Sequence, residues 1–221
     1  MSGEPRGEGA GVAAAYGDVA VALGDDFVAE VELRRPPENF FDRVLIASLA
    51  DALEALDAEP ACRVALLCAQ GRHFCAGADF RAPGGGAGDA GGRHLYDEAV
   101  RLFRTRKPIV AAVQGAAVGG GLGLALAADF RLAAPEARFA ANFARLGFHH
   151  GFGLGETLPR VVGPQRAAEL LYTGRRVPGD EALAIGLCDR LVPQADLRDA
   201  ARAFAVEIAR SAPLAVASIR E

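Results

Sequence analysis

Val19, Val21 and Leu23 recur at every second position between alanines, and Phe27, Ala29, Val31 and Leu33 repeat that spacing, with Glu30 and Glu32 as the polar positions and Gly24-Asp25-Asp26 between the two runs. That pattern predicts an antiparallel hairpin over 19–33. From Asp42, a residue suited to an N-cap, the period changes: Leu45, Ile46, Leu49, Leu53 and Leu56 fall on one helical stripe that ends near Pro60. Val64-Ala65-Leu66-Leu67-Cys68-Ala69 is an unbroken apolar run of strand length, which suits a strand buried on both faces. A Pro/Gly-rich stretch over 82–92 reads as an exposed loop. Helical spacing returns at Leu95, Ala99, Leu102 and Phe103, Pro108 stops that helix, and Ile109-Val110-Ala111-Ala112-Val113 is a second buried strand.

Beyond it, the chain reads as a small-residue helix over 122–128, short strands over 130–133 and 138–141, and a turn at His149-His150-Gly151. Helices follow around 155–161, 164–172 and 179–184, then a strand over 187–192 and a terminal helix over 196–210. The unit of buried strand, glycine-containing loop and helix therefore occurs twice. Strands joined by a crossover helix run parallel, so both loops should emerge at the same carboxyl edge of one α/β sheet. Residues 1–15 lack periodicity and are expected to be a loose tail. The core is expected over 16–193, with a C-terminal helical segment over 194–221.

The length of 221 residues fits one medium-sized domain, and 51% apolar residues suffice for a full core. With 24 Lys and Arg against 28 Asp and Glu, the net charge of −4 argues against nucleic acid or a membrane surface as partner. The four cysteines, Cys62, Cys68, Cys75 and Cys188, form no C-x-x-C pair, so free thiols in a reducing compartment are expected. No apolar signal segment opens the chain and no run reaches the roughly 18 apolar residues of a membrane span, so a cytoplasmic location is expected.

Two segments could carry chemistry: His73-Phe74-Cys75-Ala76-Gly77-Ala78-Asp79, and Gln114-Gly115-Ala116-Ala117-Val118-Gly119-Gly120-Gly121-Leu122-Gly123. Small residues let a ligand reach the backbone, and a helix start adds partial positive charge. If the Ala78 and Gly120 N–H groups converge on one oxygen, they make an oxyanion hole for a thioester enolate. The alternative is that these glycines only permit tight turns and close helix packing. Gly86-Ala87-Gly88-Asp89-Ala90-Gly91 fits G-x-G-x-x-G but follows no strand, so it fails as a dinucleotide site. Cys75 has no evident base partner for thiol catalysis, and no G-x-S-x-G elbow occurs.

Taken together, the two loops make the chain resemble the crotonase family, the enoyl-CoA hydratase and isomerase superfamily. Further matches are Arg35-Pro36-Pro37-Glu38-Asn39-Phe40, Lys107-Pro108, Ala127-Ala128-Asp129, Leu158-Pro159-Arg160 and Glu181-Ala182-Leu183-Ala184-Ile185-Gly186-Leu187. The resemblance implies a crotonase/ClpP-like spiral of ββα units, an acyl-CoA substrate, and a homotrimer or hexamer. It implies no metal and no cofactor beyond the coenzyme A of the substrate. Ala78 and Gly120 are its implied oxyanion donors, and Ala76, Ala78, Asp79, Phe80, Arg81, Gly120 and Phe143 its implied substrate-binding residues.

The departures bear on the reaction. The family's hydratases use two glutamates to activate water, and those positions fall here on Gly123 and Phe143; a third position, where relatives place an aspartate, falls on Gly151. Hydration by a glutamate pair is therefore not expected, and isomerisation, decarboxylation or thioester hydrolysis remain open. His149, His150 and Glu156 are the candidate acid/base residues, since histidine titrates near neutral pH. The alternative is that the histidines satisfy backbone carbonyls and Glu156 is a helix N-terminal charge. Tyr96 is read as pocket-lining or core, and His94 as a surface residue. A catalytically silent acyl-CoA binder or structural subunit is the competing reading. Relatives continue into a further helix where this chain stops at Ser218-Ile219-Arg220-Glu221, implying a more open pocket or a shortened chain.

Overall fold

A computed structural model describes residues 13–79 and 94–220. The stretch over 82–92, like Phe80 and Arg81, lies outside the described residues. The hairpin forms as β2 (Val19–Leu23) and β3 (Val28–Leu33), with Val21 opposite Val31. Phe27, expected in the second strand, is instead in the turn with φ at +65°. A preceding strand, β1 (Ala13–Tyr16), pairs antiparallel with β2, so the sheet begins inside the span expected to be a tail. Its alanines offer no alternation to read; backbone bonds to β2 set its pairing.

Asp42 caps α1 (Arg43–Ala58), its Oδ1 accepting the Leu45 N–H at 2.8 Å. β4 (Val64–Ala69) and β5 (Ile109–Val113) are parallel neighbours, and every residue of both is buried. Their two-sided burial explains the unbroken apolar runs. One face packs on α1, α2 (Leu95–Leu102) and the residues that follow β5, through Leu45, Leu49, Leu102, Leu122 and Leu124.

After β5 the chain makes β6 (Ala116–Val118), where only a loop was expected, and then α3 (Gly120–Ala127). β7 (Phe130–Ala133) returns to the large sheet beside β5, and β8 (Arg138–Ala140) pairs with β6. α4 (Leu154–Val162) and α5 (Pro164–Thr173) follow, then β9 (Arg176–Pro178), which joins β8 and was not foreseen. Twice, then, one strand enters the large sheet, the next enters the small one, and a helix comes after.

α6 (Gly179–Ala184) leads to β10 (Arg190–Leu191), much shorter than the strand expected over 187–192. Leu187 and Cys188 instead donate their N–H groups back to the Ala182 carbonyl and close α6. The described strands form a seven-stranded sheet in the order β1-β2-β3-β4-β5-β7-β10 and a three-stranded sheet β6-β8-β9. α7 (Leu197–Ala209) covers the second face of the large sheet with Leu197, Ala201, Ala205 and Ala209 against Leu66, Val110 and Leu132. Arg202 ties it to Asp26 at 2.8 Å. α8 (Pro213–Arg220) is held by Arg220 to Asp129 at 2.8 Å. Among the described residues no helix is long and apolar enough to cross a membrane.

Candidate functional site

The loops that leave β4 and β5 meet, as parallel topology requires of strands ending at one edge. The first is fastened from several directions. Buried Asn39 donates its amide to the carbonyls of Gln70 and His73, each at 2.7 Å, and Gln114 Nε2 donates to Ala69 O at 2.7 Å. His73 Nδ1 accepts the Ala116 N–H at 3.0 Å. Cys75 N donates to Ala116 O at 2.9 Å and Val118 N to Cys75 O at 3.1 Å, so Cys75 lies opposite Ala117 in a short parallel pairing. Gly121 completes the contact: a Cβ there would stand 2.1 Å from the Cys75 carbonyl oxygen.

This zipper sets Ala78 beside the start of α3. Gly120 is the first residue of that helix, so its N–H is beyond reach of any intrahelical carbonyl, at the positive end of the helix. In the first loop the Gly77 carbonyl accepts from Phe41 at 3.0 Å. Among the described residues neither the Ala78 nor the Gly120 N–H finds a protein acceptor. Both residues line one cavity of about 550 Å³.

The cavity is largely apolar, with Phe41, Tyr96, Phe143, Phe148 and Phe152 in its walls. Among its described lining residues there is no carboxylate, and the titratable groups are Tyr96 and His149. Burial pushes the Tyr96 phenol above its ordinary value, which keeps it protonated at neutral pH. His149 Nδ1 lies 2.8 Å from the His150 carbonyl oxygen, and a carbonyl can only accept, so that nitrogen carries a hydrogen and, in the neutral ring, Nε2 holds the lone pair.

Of the expected site residues, Ala76, Ala78, Gly120, Phe143 and His149 come together at this cavity. His150 does not line it; its ring stacks on His149 at 4.1 Å between centroids. Burial and the His149 charge hold its pKa below the usual histidine value. Glu156 stays away as well, because its exposed carboxylate pairs with Arg160 one turn along α4. Asp79 is absent from the cavity wall. His94 is a surface residue that caps α2, its Nδ1 accepting the Tyr96 N–H at 3.2 Å. Cys75 is fully buried, and burial pushes its thiol up to about 12, so it offers no thiolate nucleophile.

Two of the three departures from the family's carboxylate pattern are also departures of shape. A Cβ on Gly123 would lie 2.7 Å from both Cβ and O of Phe152, so the space a side chain would use at 123 is filled. A Cβ on Gly151 would lie 2.1 Å from the Tyr96 hydroxyl. Phe152 is buried, holds φ at +55°, and meets Phe41 edge-on at 5.6 Å between centroids. Sequence reading missed Phe41, Phe148 and Phe152 as cavity residues. The nearest signal was the run of small residues over 119–123, which has to face something large.

Comparison with known proteins points the same way. A family model described as enoyl-CoA hydratase/isomerase matches residues 24–221. A carnitinyl-CoA dehydratase of Proteus mirabilis is 40% identical over 197 residues, spanning 88% of this chain and 76% of that protein. The solved structure of an enoyl-CoA hydratase from Bacillus anthracis superposes with a TM-score of 0.85 at 33% identity, covering 92% of this chain and 81% of its own. A monofunctional enoyl-CoA isomerase from M. smegmatis superposes with a TM-score of 0.79 at 33% identity, covering 92% and 90%. The fold is that of the crotonases.

Proposed function

The chain belongs to the enoyl-CoA hydratase/isomerase family, and on that premise we propose that it binds an acyl-CoA thioester with the carbonyl oxygen between the Ala78 and Gly120 N–H groups. Abstraction of a Cα proton then leaves an enolate whose charge these two donors stabilise. Loss of one such donor typically costs about 10²–10³ in rate. The base is His149 Nε2, whose lone pair is left free by the bond from Nδ1 to the His150 carbonyl. The reaction this set supports best is movement of a double bond from β,γ to α,β, because it needs proton transfer and enolate stabilisation and no activated water. Gly123 and Phe143 offer no carboxylate to activate one. The observation that carries the reading is the pair of unpartnered N–H groups on one cavity.

The similarity to carnitinyl-CoA dehydratases favours a second reading, dehydration of a 3-hydroxyacyl-CoA, which starts from the same Cα proton. Incubation with 3-hexenoyl-CoA and with 3-hydroxyhexanoyl-CoA in D₂O separates the two. The proposal expects solvent deuterium at Cα of recovered 3-hexenoyl-CoA and formation of the 2-enoyl product. Product from the 3-hydroxy substrate alone would select dehydration. Tight binding of both without exchange or product would make the chain a silent acyl-CoA binder. Brisk hydration of crotonyl-CoA would overturn the reading of positions 123 and 143.

A further inference from the structure

We infer that the Tyr96 hydroxyl is the acid of this site, delivering the proton that completes the double-bond shift at Cγ. The inference rests on the enolate reading above and adds the second proton-transfer group to it. Tyr96 lies in the first turn of α2, and that helix is fixed at both ends. At its start the His94 side chain and the Asp97 carboxylate form a reciprocal cap, with His94 N donating to Asp97 Oδ2 at 3.1 Å. Toward its end Arg101 reaches Asp51 at 2.5 Å and Glu54 at 2.6 Å on α1, and Glu98 at 2.7 Å. A phenol carried on such a mount is held in place before substrate arrives.

Tyr96 lines the cavity, and the bare backbone of residue 151 leaves room for its hydroxyl: any Cβ there would stand 2.1 Å from the oxygen and 2.4 Å from Cζ. Among the described residues the hydroxyl has no protein partner, so its hydrogen is available to a ligand. Asn142, the other polar side chain of the wall beside His149, is an amide and gives up no proton. Burial keeps the phenol in its protonated form, the state a donor requires. Tyr96 is 42% exposed as a residue, and water is the source of the proton that restores the phenol.

The Cα–H bond breaks, its proton moves to His149 Nε2, and the electron pair enters a dienolate whose oxygen is held by Ala78 and Gly120. The Tyr96 O–H bond then breaks and a Cγ–H bond forms, while the electron pair returns from oxygen to leave the double bond between Cα and Cβ. The imidazolium and the phenolate differ from their starting states by one proton each, and solvent carries it from one to the other.

The test uses 3-hexenoyl-CoA in D₂O with the wild type, Tyr96→Phe and Gly151→Ala. In the wild type, solvent deuterium is expected at Cγ of the product. Tyr96→Phe, which keeps the ring, is expected to lower isomerisation by about 10²-fold or more, the usual contribution of a general acid, while deuterium still enters Cα of recovered substrate. Gly151→Ala displaces the hydroxyl and is expected to give the same split. Isomerisation by Tyr96→Phe within a few-fold of wild type would overturn the assignment. So would transfer of label from Cα to Cγ within one molecule, which would make His149 the sole shuttle. Loss of both reactions in folded Tyr96→Phe would place the residue in binding instead and equally overturn it. Absence of Cα exchange in the wild type would remove the enolate reading itself, and Tyr96 with it.

Discussion

Gly123→Ala sets two effects of opposite sign against each other. Gly123 lies inside α3, where alanine is normally favoured over glycine by about 1 kcal/mol. Here the new methyl would stand 2.7 Å from Cβ and O of Phe152 and 2.8 Å from its Cδ1. Phe152 cannot step aside easily, since it is buried, has a left-handed backbone, and already approaches the Cβ direction of Gly120 at 3.3 Å. Overpacking of this kind costs about 1–3 kcal/mol, so the clash outweighs the helix preference and leaves a net loss of about 1 kcal/mol. For a chain of this size that corresponds to a fall in Tm of about 2–4 °C. Gly123→Glu adds a carboxylate among aromatic rings and is expected to be destabilised by several kcal/mol more, without gaining hydration of crotonyl-CoA. Scanning calorimetry of both variants, with the hydration assay on Gly123→Glu, checks this. A Tm for Gly123→Ala at or above wild type, or a stable Gly123→Glu that hydrates crotonyl-CoA, would refute the argument that Phe152 fills the site.

Burial and neighbouring Arg72 hold the His73 pKa below the usual histidine value, against a smaller pull from Glu38, so the folded chain resists protonation there while the unfolded chain does not. Stability should therefore fall as pH drops through about 6.5, and urea titrations at pH 7.5 and 5.5 should show a smaller drop for His73→Gln. The slope that remains carries the same sign from His150. At Asp42 burial raises the carboxyl pKa, but the Leu45 N–H and the Arg35 guanidinium outweigh it and leave the group below its ordinary value. The stabilisation it gives is present above that ordinary value and is lost as pH falls through the folded one. Asp42→Ala should cost about 1 kcal/mol at pH 7 by denaturant unfolding, and the difference from wild type should shrink in acid. Cys75 should escape alkylation by iodoacetamide at pH 8 in the folded protein and react in urea, as mass spectrometry would read.

The elements that were legible are those whose side chains carry the period: the β2–β3 hairpin, α1 with its Asp42 cap, and the buried runs of β4 and β5. The meeting of the two loops was legible too, because parallel connectivity fixes which edge they share. β6 and β9 were not, since three residues each leave no room for a pattern and their partners are set by backbone bonds. The identities at 123, 143 and 151 told which carboxylates are missing. What replaced them was hidden, because Phe152 reaches Gly123 and Tyr96 reaches Gly151 from elements remote in sequence, and no local spacing encodes such a contact.

The proposed grip of two backbone amides on the thioester oxygen can be tested at the carbonyl itself. Isotope-edited infrared difference spectroscopy of hexanoyl-CoA labelled with ¹³C at the thioester carbon, bound to the wild type, reports the strength of hydrogen bonding at that oxygen. Two donors aimed from Ala78 and Gly120 predict a C=O stretch below its value for the same thioester in water. A stretch at or above the aqueous value would mean that the oxygen lies elsewhere, and the enolate chemistry proposed for this cavity would lose its foundation.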